Sequence, residues 1–514
     1  MDVTGLSLTT VVVFLPLIGL IPILLLRDVY QVRWVALGFS VLTFVSSILM
    51  WLVFDASQPG LQMVQRNEWL PQYGISYYVG VDGLSILLVL LTTFIMPLAI
   101  LASFTSQIFL ERGRERLYYA FMLLLETAMI GVFVAQDLFL FYIFWEVTLV
   151  PMYFLIGIWG AEQRIYAALK FFLYTMAGSI LMLLAILYVG SQTGTFSVPD
   201  IIAMVQANPN LFPFAGIFST QSALFLGFFI AFAVKVPLWP LHSWLPDAHV
   251  QAPTAGSVIL AGILLKLGTY GIVRFCLPMF PQASVAWAPF VATLAVIGII
   301  YGAWVSYAQK DVKKLVAYSS VSHLGFVVLG IFALNAQGIQ GGILQMINHG
   351  ISTGGLFLMV GILYERRHTK AIDAFGGIWK VLPLFGALSL IIVLSSMGLP
   401  GLNGFVGEFT ILLGSFGSNV LGFFYTLFAS LGIILAAVYL LYMFQKVYMG
   451  EVDKEENRNL PPLFWTEVVV LVAIIVVIFW IGLQPTTFFN TMDASVHDLL
   501  GKVGNVATQV ASLR

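Results

Sequence analysis

Glu146 in FLFYIFWEVTLVPMYF, Lys235 in FFIAFAVKVPLW, Lys266 in VILAGILLKLGTYG and Glu408 in GLPGLNGFVGEFTILL each interrupt an apolar run. A charge at membrane depth costs several kcal/mol, so such residues are read first as parts of an ion pathway. Two acids and two amines point to protons. The proton affinity of a lysine in an apolar cavity depends on how close an acid stands, so approach or withdrawal of that acid can load or release a proton. Glu146 and Lys235 are expected to form such a switch, with Lys266 near enough to repel Lys235. His323 and His349 carry imidazoles that titrate near neutrality and relay protons either way. Glu408 then offers a terminal acceptor. The expected order is Glu146, Lys235, Lys266, His323 or His349, and Glu408. The alternative is that these charges only pair to fix helix packing.

These residues need a membrane around them. The chain is 60% apolar and 9% charged, with mean hydropathy +0.98, far from soluble averages. Apolar runs long enough to cross a bilayer recur from end to end, giving an all-α polytopic membrane protein with about fourteen transmembrane helices. No polar linker divides it, so residues 1–514 read as a single membrane domain. The first run, from about Ser7 to Leu26, lacks a basic leader and a cleavage site and reads as a retained helix. Most Lys and Arg residues, including Arg112, Arg114, Arg116, Lys310, Lys313 and Lys314, fall in odd-numbered loops. The other side holds only Arg66 and Arg274, with Lys502 and Arg514 in the tail. The positive-inside rule then predicts a multi-pass protein of the bacterial cytoplasmic membrane with both termini on the outer, periplasmic side. Net charge of -1 offers nothing to nucleic acid. The single cysteine, Cys276, excludes an internal disulfide and a cysteine-ligated cluster.

The chain repeats itself. AGSILMLLAILY (177–188) and TGGLFLMVGILY (353–364) share Gly178/Gly354 and the closing Ile-Leu-Tyr. Carrying that offset along the chain sets Glu146 against His323 and Lys235 against Glu408. Each unit spans five helices, 117–276 and 286–445, and an odd number of spans turns the second copy upside down. Pro237 and Pro240 follow Lys235, and SSMGLPGLNG (395–404) precedes Glu408, so each repeat is expected to contain one broken helix. Breaks in corresponding positions of two halves point to an ion site.

Other residues resist a chemical reading. His242 and His249 have no Cys or Glu nearby to complete a metal site, so no metal is expected. Gly398, Gly401, Gly404 and Gly407 match neither a phosphate loop nor a dinucleotide fingerprint. Lys170 is expected to snorkel to the cytoplasmic surface, and Glu126 either tunes Glu146 or makes a structural hydrogen bond. Residues 491–514 place Val496, Leu499, Leu500, Val503, Val506, Val510 and Leu513 on one face of an amphipathic helix.

The run VKVPLWPLHSWLPDAHVQAPTAGSVILAGILLKLGTYG (234–271) closely resembles the signature segment of the antiporter-like membrane subunits of respiratory complex I. That family is shared with multisubunit cation/proton antiporters and membrane-bound hydrogenases. GLPGLNGFVGEFTILLGSF (398–416) resembles the M branch, called subunit 4 in mitochondria, because other branches usually carry lysine where this chain has Glu408. The resemblance implies proton translocation through Glu146, Lys235, Lys266, His323, His349 and Glu408. It also implies coupling to NADH:quinone oxidoreduction, neighbouring antiporter-like subunits as partners, and NADH, flavin, iron-sulfur clusters and quinone confined to partner subunits.

Overall fold

The structure, a computed structural model, describes residues 6–511. Twelve of its helices are long and apolar enough to cross a membrane. They are α1 (Leu8–Leu25), α2 (Val29–Leu52), α3 (Ile86–Thr105), α4 (Glu115–Val134), α5 (Leu138–Trp159), α6 (Arg164–Thr193), α10 (Thr254–Met279), α11 (Pro281–Tyr307), α12 (Val312–Phe332), α13 (Ala336–Arg367), α16 (Phe423–Tyr448) and α17 (Trp465–Leu483). Polar residues mark where several begin. Asp311 accepts from the Lys314 amide at 2.9 Å, and Asn335 from the Gly338 amide at 2.8 Å, each satisfying a first-turn donor.

Two expected spans are split. The run near 221–240 becomes α8 (Thr220–Lys235) and α9 (Trp244–Gln251), and the run near 383–410 becomes α14 (Pro383–Ser396) and α15 (Asn403–Phe416). Backbone freed at the first break finds partners at once. The Trp244 indole donates to the Val234 carbonyl at 2.9 Å, and the Leu238 amide to Ala233 at 2.8 Å. At the second break Gly398 and Gly401 take positive φ, +82° and +91°, which a side chain would strain.

Burial decides which helices form the centre. The crossing windows of α10 and α13 are 100% buried and that of α12 is 94% buried, whereas that of α2 is 28% buried and faces outward. Close backbone approach holds the centre together, as expected where lipid removes the hydrophobic drive between helices. A Cβ on Gly350 of α13 would stand 2.8 Å from the Gly262 carbonyl of α10. That contact brings the neighbouring His349 to Lys266. Similarly, a Cβ on Gly407 of α15 would fall 2.3 Å from Gln345 Oε1, so this glycine lets α15 seat Glu408 against α13.

One part of the fold departs from the all-α expectation. Residues 62–81 form an antiparallel hairpin, β1 (Gln62–Leu70) with β2 (Ile75–Val81), pairing Gln65 with Val79 and Asn67 with Tyr77. Its alternating, Tyr- and Val-rich sequence is a strand pattern too short to register beside the long apolar runs. On the same face lie the short α7 (Val198–Ala207) and the C-terminal α18 (Thr486–Ala511). α18 starts ahead of the expected 491; Leu513 lies outside the described residues. It acts as a strap: Ser495 accepts from the Gly83 amide at 3.0 Å, Gln206 donates to the Lys502 carbonyl at 3.1 Å, and Gln340 donates to Asp493 at 2.8 Å. The opposite face carries the basic loops. There Arg366, ending α13, grips Glu467 of α17 through two bonds of 2.8 and 2.7 Å.

Candidate functional site: a buried chain of titratable groups

Lys266 sits in the first regular turn of α10 after a π-turn at Leu260–Leu264. Such bulges occur often at functional sites because they re-aim side chains and free carbonyls. The Lys266 ammonium donates to the Ala261 carbonyl at 2.5 Å and meets His349 Nδ1 at 2.6 Å. A nitrogen–nitrogen bond of this kind can hold its proton on either partner, as ammonium with neutral imidazole or as amine with imidazolium.

His349 lies beside His323 of α12, with ring centroids 6.2 Å apart. His323 Nδ1 pairs with Glu408 Oε1 at 2.7 Å, and its Nε2 meets the Tyr439 hydroxyl at 3.0 Å. This arrangement suits two states of His323. A neutral ring donates from Nδ1 to the carboxylate and accepts from Tyr439; an imidazolium donates from both nitrogens, with the hydroxyl turned to accept. Gln345 of α13 donates to the same Glu408 oxygen at 3.0 Å. Lys266, His349, His323 and Glu408 therefore form a contiguous line across α10, α13, α12 and α15.

A small cavity of about 10 Å³ adjoins this line, bordered by His323, Gln345, Asn348, His349 and Ser352. That is about the least space that holds a single water. Three buried polar atoms around it, Glu408 Oε2, His349 Nε2 and Asn348 Oδ1, have no protein hydrogen-bond partner. Buried polar atoms are normally satisfied, and a water in this cavity would supply partners to them. The break itself is polar: Ser395 donates to Asn403 Oδ1 at 2.5 Å, and Asn348 donates to the Asn403 carbonyl at 2.8 Å.

The first broken helix holds the other two residues. Lys235, ending α8, is 1% exposed and donates to Thr148 Oγ1 at 3.4 Å, with the Trp145 and Phe171 rings 5.3 and 5.6 Å away. Glu146 of α5 is its electrostatic partner, but no ion pair joins them, and Glu146 Oε1 is left without a hydrogen bond. The two residues of the expected switch therefore stand unpaired. Lys266 turns to His349.

The remaining candidates sort by contact. Glu126 accepts from Ser40 of α2 at 3.1 Å, the structural bond of the two readings. Lys170 pairs with the partly exposed Asp247 of α9 at 2.7 Å. His242 stands edge-on to Tyr301, whereas His249 lies flat on Phe357 at 4.4 Å. No three His, Cys, Asp or Glu residues converge on a metal geometry among the described residues.

Several contributors escaped sequence reading. Gln345 and Asn348 sit in QMINHG, where polar residues in a buried helix were a usable signal. Thr148 and Tyr439 resemble countless others in membrane helices. On the basic-loop face, Lys313 and Lys370 donate at 2.6 Å to the Ala252 and Val250 carbonyls at the turn between α9 and α10. Burial holds the Lys370 ammonium below the ordinary lysine range.

Comparison with known proteins adds a separate line. The family profile described as NADH:quinone oxidoreductase/Mrp antiporter, TM, matches residues 135–430, and that of the NADH-ubiquinone oxidoreductase chain 4 amino terminus matches residues 11–132. NADH-quinone oxidoreductase subunit M of Rickettsia conorii is 45% identical over 506 residues, covering 97% of this chain and 99% of the relative. Among solved structures, a chain of respiratory complex I from Thermus thermophilus superimposes with TM-score 0.86 at 31% identity, covering 96% of this chain and 99% of that one. A chain of the Mrp complex from Dietzia sp. shares the fold, with TM-score 0.81 at 18% identity over 98% of this chain and 99% of that one.

Proposed function

This chain belongs to the NADH:quinone oxidoreductase subunit M (chain 4) family, and we propose that it is a proton-translocating membrane-arm subunit of such a complex. Within it, protons pass through Glu146, Lys235, Lys266, His349, His323 and Glu408. The observation that carries this reading is the line from Lys266 through both histidines to Glu408, hydrogen-bonded at each end with the two imidazole centroids 6.2 Å apart in the middle, beside buried polar atoms that lack protein partners. The contact of His349 with Lys266 and of His323 with Glu408 supports an order with His349 before His323.

The redox chemistry belongs to partner subunits. One cysteine cannot by itself ligate an iron-sulfur cluster, and membership of this family supports assigning NADH, flavin, clusters and quinone to neighbouring chains. Neighbouring antiporter-like subunits complete the membrane arm. The amino-terminal match to chain 4 and the subunit M relative favour the oxidoreductase over a cation/proton antiporter or a membrane-bound hydrogenase.

Counting each split pair as one crossing gives about fourteen crossings of the bilayer. Two inverted units, 117–276 and 286–445, fit the packing of α6 against α8 in one and α13 against α15 in the other. The side on which the basic loops gather supports an outer location for the hairpin face and both termini. Replacing Glu146 with Gln in the intact complex tests the reading. Protons moved per electron should fall with the complex still assembled; full stoichiometry would leave a structural scaffold as the better account. Copurification of flavin- and cluster-bearing subunits separates the oxidoreductase from an antiporter.

A further inference from the structure

Ile347 and Ile351 of α13 stand two positions to either side of His349, which on a helix turns them away from the buried line. Both are buried, and they form the deep end of an apolar groove of about 230 Å³. Its walls come from α2, α3 and α17, with Phe44, Ile48, Leu90 and Val477 among the lining residues. Every side chain that lines it is aliphatic or aromatic. One wall bears on the centre of the fold: Leu91 lines the groove, and a Cβ on Gly350 would stand 2.8 Å from its Cδ2. Gly350 is the glycine that seats His349 against Lys266.

The groove lies within bilayer-crossing helices, and the two at its mouth face outward: the crossing windows of α2 and α17 are 28% and 44% buried. Beside the lining residues, Leu42, Val45 and Leu49 of α2 and Val472 and Val476 of α17 are exposed, so their surroundings are hydrocarbon. At the hairpin end Trp51 of α2 and Trp480 of α17 meet at 6.0 Å between ring centroids, and the Trp51 indole donates to Thr491 of α18 at 3.4 Å. Tryptophans gather at the level of lipid headgroups, which sets the groove running inward from that level. Its chemistry selects the occupant. An apolar cavity of about 150 Å³ lined by such residues stays dry and takes up benzene, so water does not fill this larger one. A partner helix, about 10–12 Å across, is too broad for it. Helix docking in lipid also uses small residues and polar side chains, and the lining has neither.

We propose that this groove is a binding site for one acyl chain of a phospholipid in the leaflet on the hairpin side. Its glycerol end lies level with Trp51 and Trp480, and its methylenes run down to Ile347 and Ile351. Moving a chain from bilayer to groove gains no hydrophobic free energy, because lipid is as apolar as the groove. Packing against the aromatic and aliphatic walls holds it instead. The bound chain backs Leu91 and the outer face of α13, filling the space into which α13 would otherwise retreat from α10. This site is independent of the proton-translocating reading, and its test does not use pumping.

The intact complex in vesicles of phosphatidylcholine with a diazirine midway along one chain tests this. After irradiation, peptide mass spectrometry should find adducts on Leu90, Ile347 or Ile351, as well as on the exposed Leu42 and Val45 that any bilayer lipid touches. Ile351→Phe fills the deep end and should cut the groove adducts several-fold while leaving those on Leu42 and Val45 unchanged. Should that variant fail to assemble, Val477→Phe narrows the groove from α17 and gives the same comparison. Adducts on Leu42 and Val45 with none in the groove would overturn the proposal, as would groove adducts that the filling substitution does not reduce. Loss of the groove adducts on adding a long-tailed quinone would assign the site to that tail and overturn the phospholipid assignment.

Discussion

Lys266 and His349 share a nitrogen–nitrogen hydrogen bond of 2.6 Å in the two most deeply buried crossing helices. The bond exists because Gly350 lets α13 approach the Gly262 carbonyl of α10. It joins an amine with no carboxylate partner to an imidazole whose other nitrogen is unpaired. A static pair serving only packing would be expected to oppose charges; this pair sets two bases at a distance that allows one proton to pass between them.

Lys266→Arg separates those roles. Arginine keeps the charge and the donors but does not give up its proton. Protons moved per electron by vesicles of the assembled complex should fall nearly as far as with Lys266→Met. Rescue by arginine would show that charge alone matters at this position.

Tyr439→Phe removes the hydroxyl that meets His323 Nε2 at 3.0 Å. One such bond is worth about 0.5–1.5 kcal/mol, or at most about tenfold in rate. Pumping rate should drop within that range while the complex assembles normally. An unchanged rate would mean that Tyr439 does not assist His323.

Thr148→Val deletes the acceptor on which Lys235 rests. If Thr148 holds Lys235 away from Glu146, its effect should depend on that acid. A cycle of Thr148→Val and Glu146→Gln should then show a coupling of about 0.5–3 kcal/mol in pumping rate. Additive effects would separate the two residues.

Gly407→Ala changes no titratable group. Its Cβ would press on Gln345 Oε1 at 2.3 Å and on Asn348 Nδ2 at 2.8 Å, moving the amide that donates to Glu408. Overpacking costs about 1–3 kcal/mol. Both the thermal stability of the purified complex and its pumping should fall; wild-type values for both would show that the α13–α15 contact has slack.

Much of this site was legible in the sequence because charge inside an apolar run is rare and expensive, which singled out Glu146, Lys235, Lys266 and Glu408 without any coordinates. The breaks beside Lys235 and Glu408 were legible for a similar reason: Pro237, Pro240 and the glycines of SSMGLPGLNG cannot continue a helix. What stayed hidden depends on rotation about helix axes. Nothing in the sequence says that Lys266 faces His349 instead of Lys235, or that Lys170 reaches Asp247. Nor does it show that Arg274 pairs with Asp82, 192 positions away. The hairpin was lost because strand alternation over residues 62–81 gives a weaker signal than twenty-residue apolar runs.

Glu408→Gln tests the central claim most directly. Glutamine retains an oxygen that accepts from His323 and Gln345, so the shape of the site is kept while the exchangeable carboxyl proton is lost. In sealed vesicles of the fully assembled complex, protons translocated per electron should fall clearly below wild type. An unchanged ratio would show that the line from Lys266 to Glu408 does not carry protons.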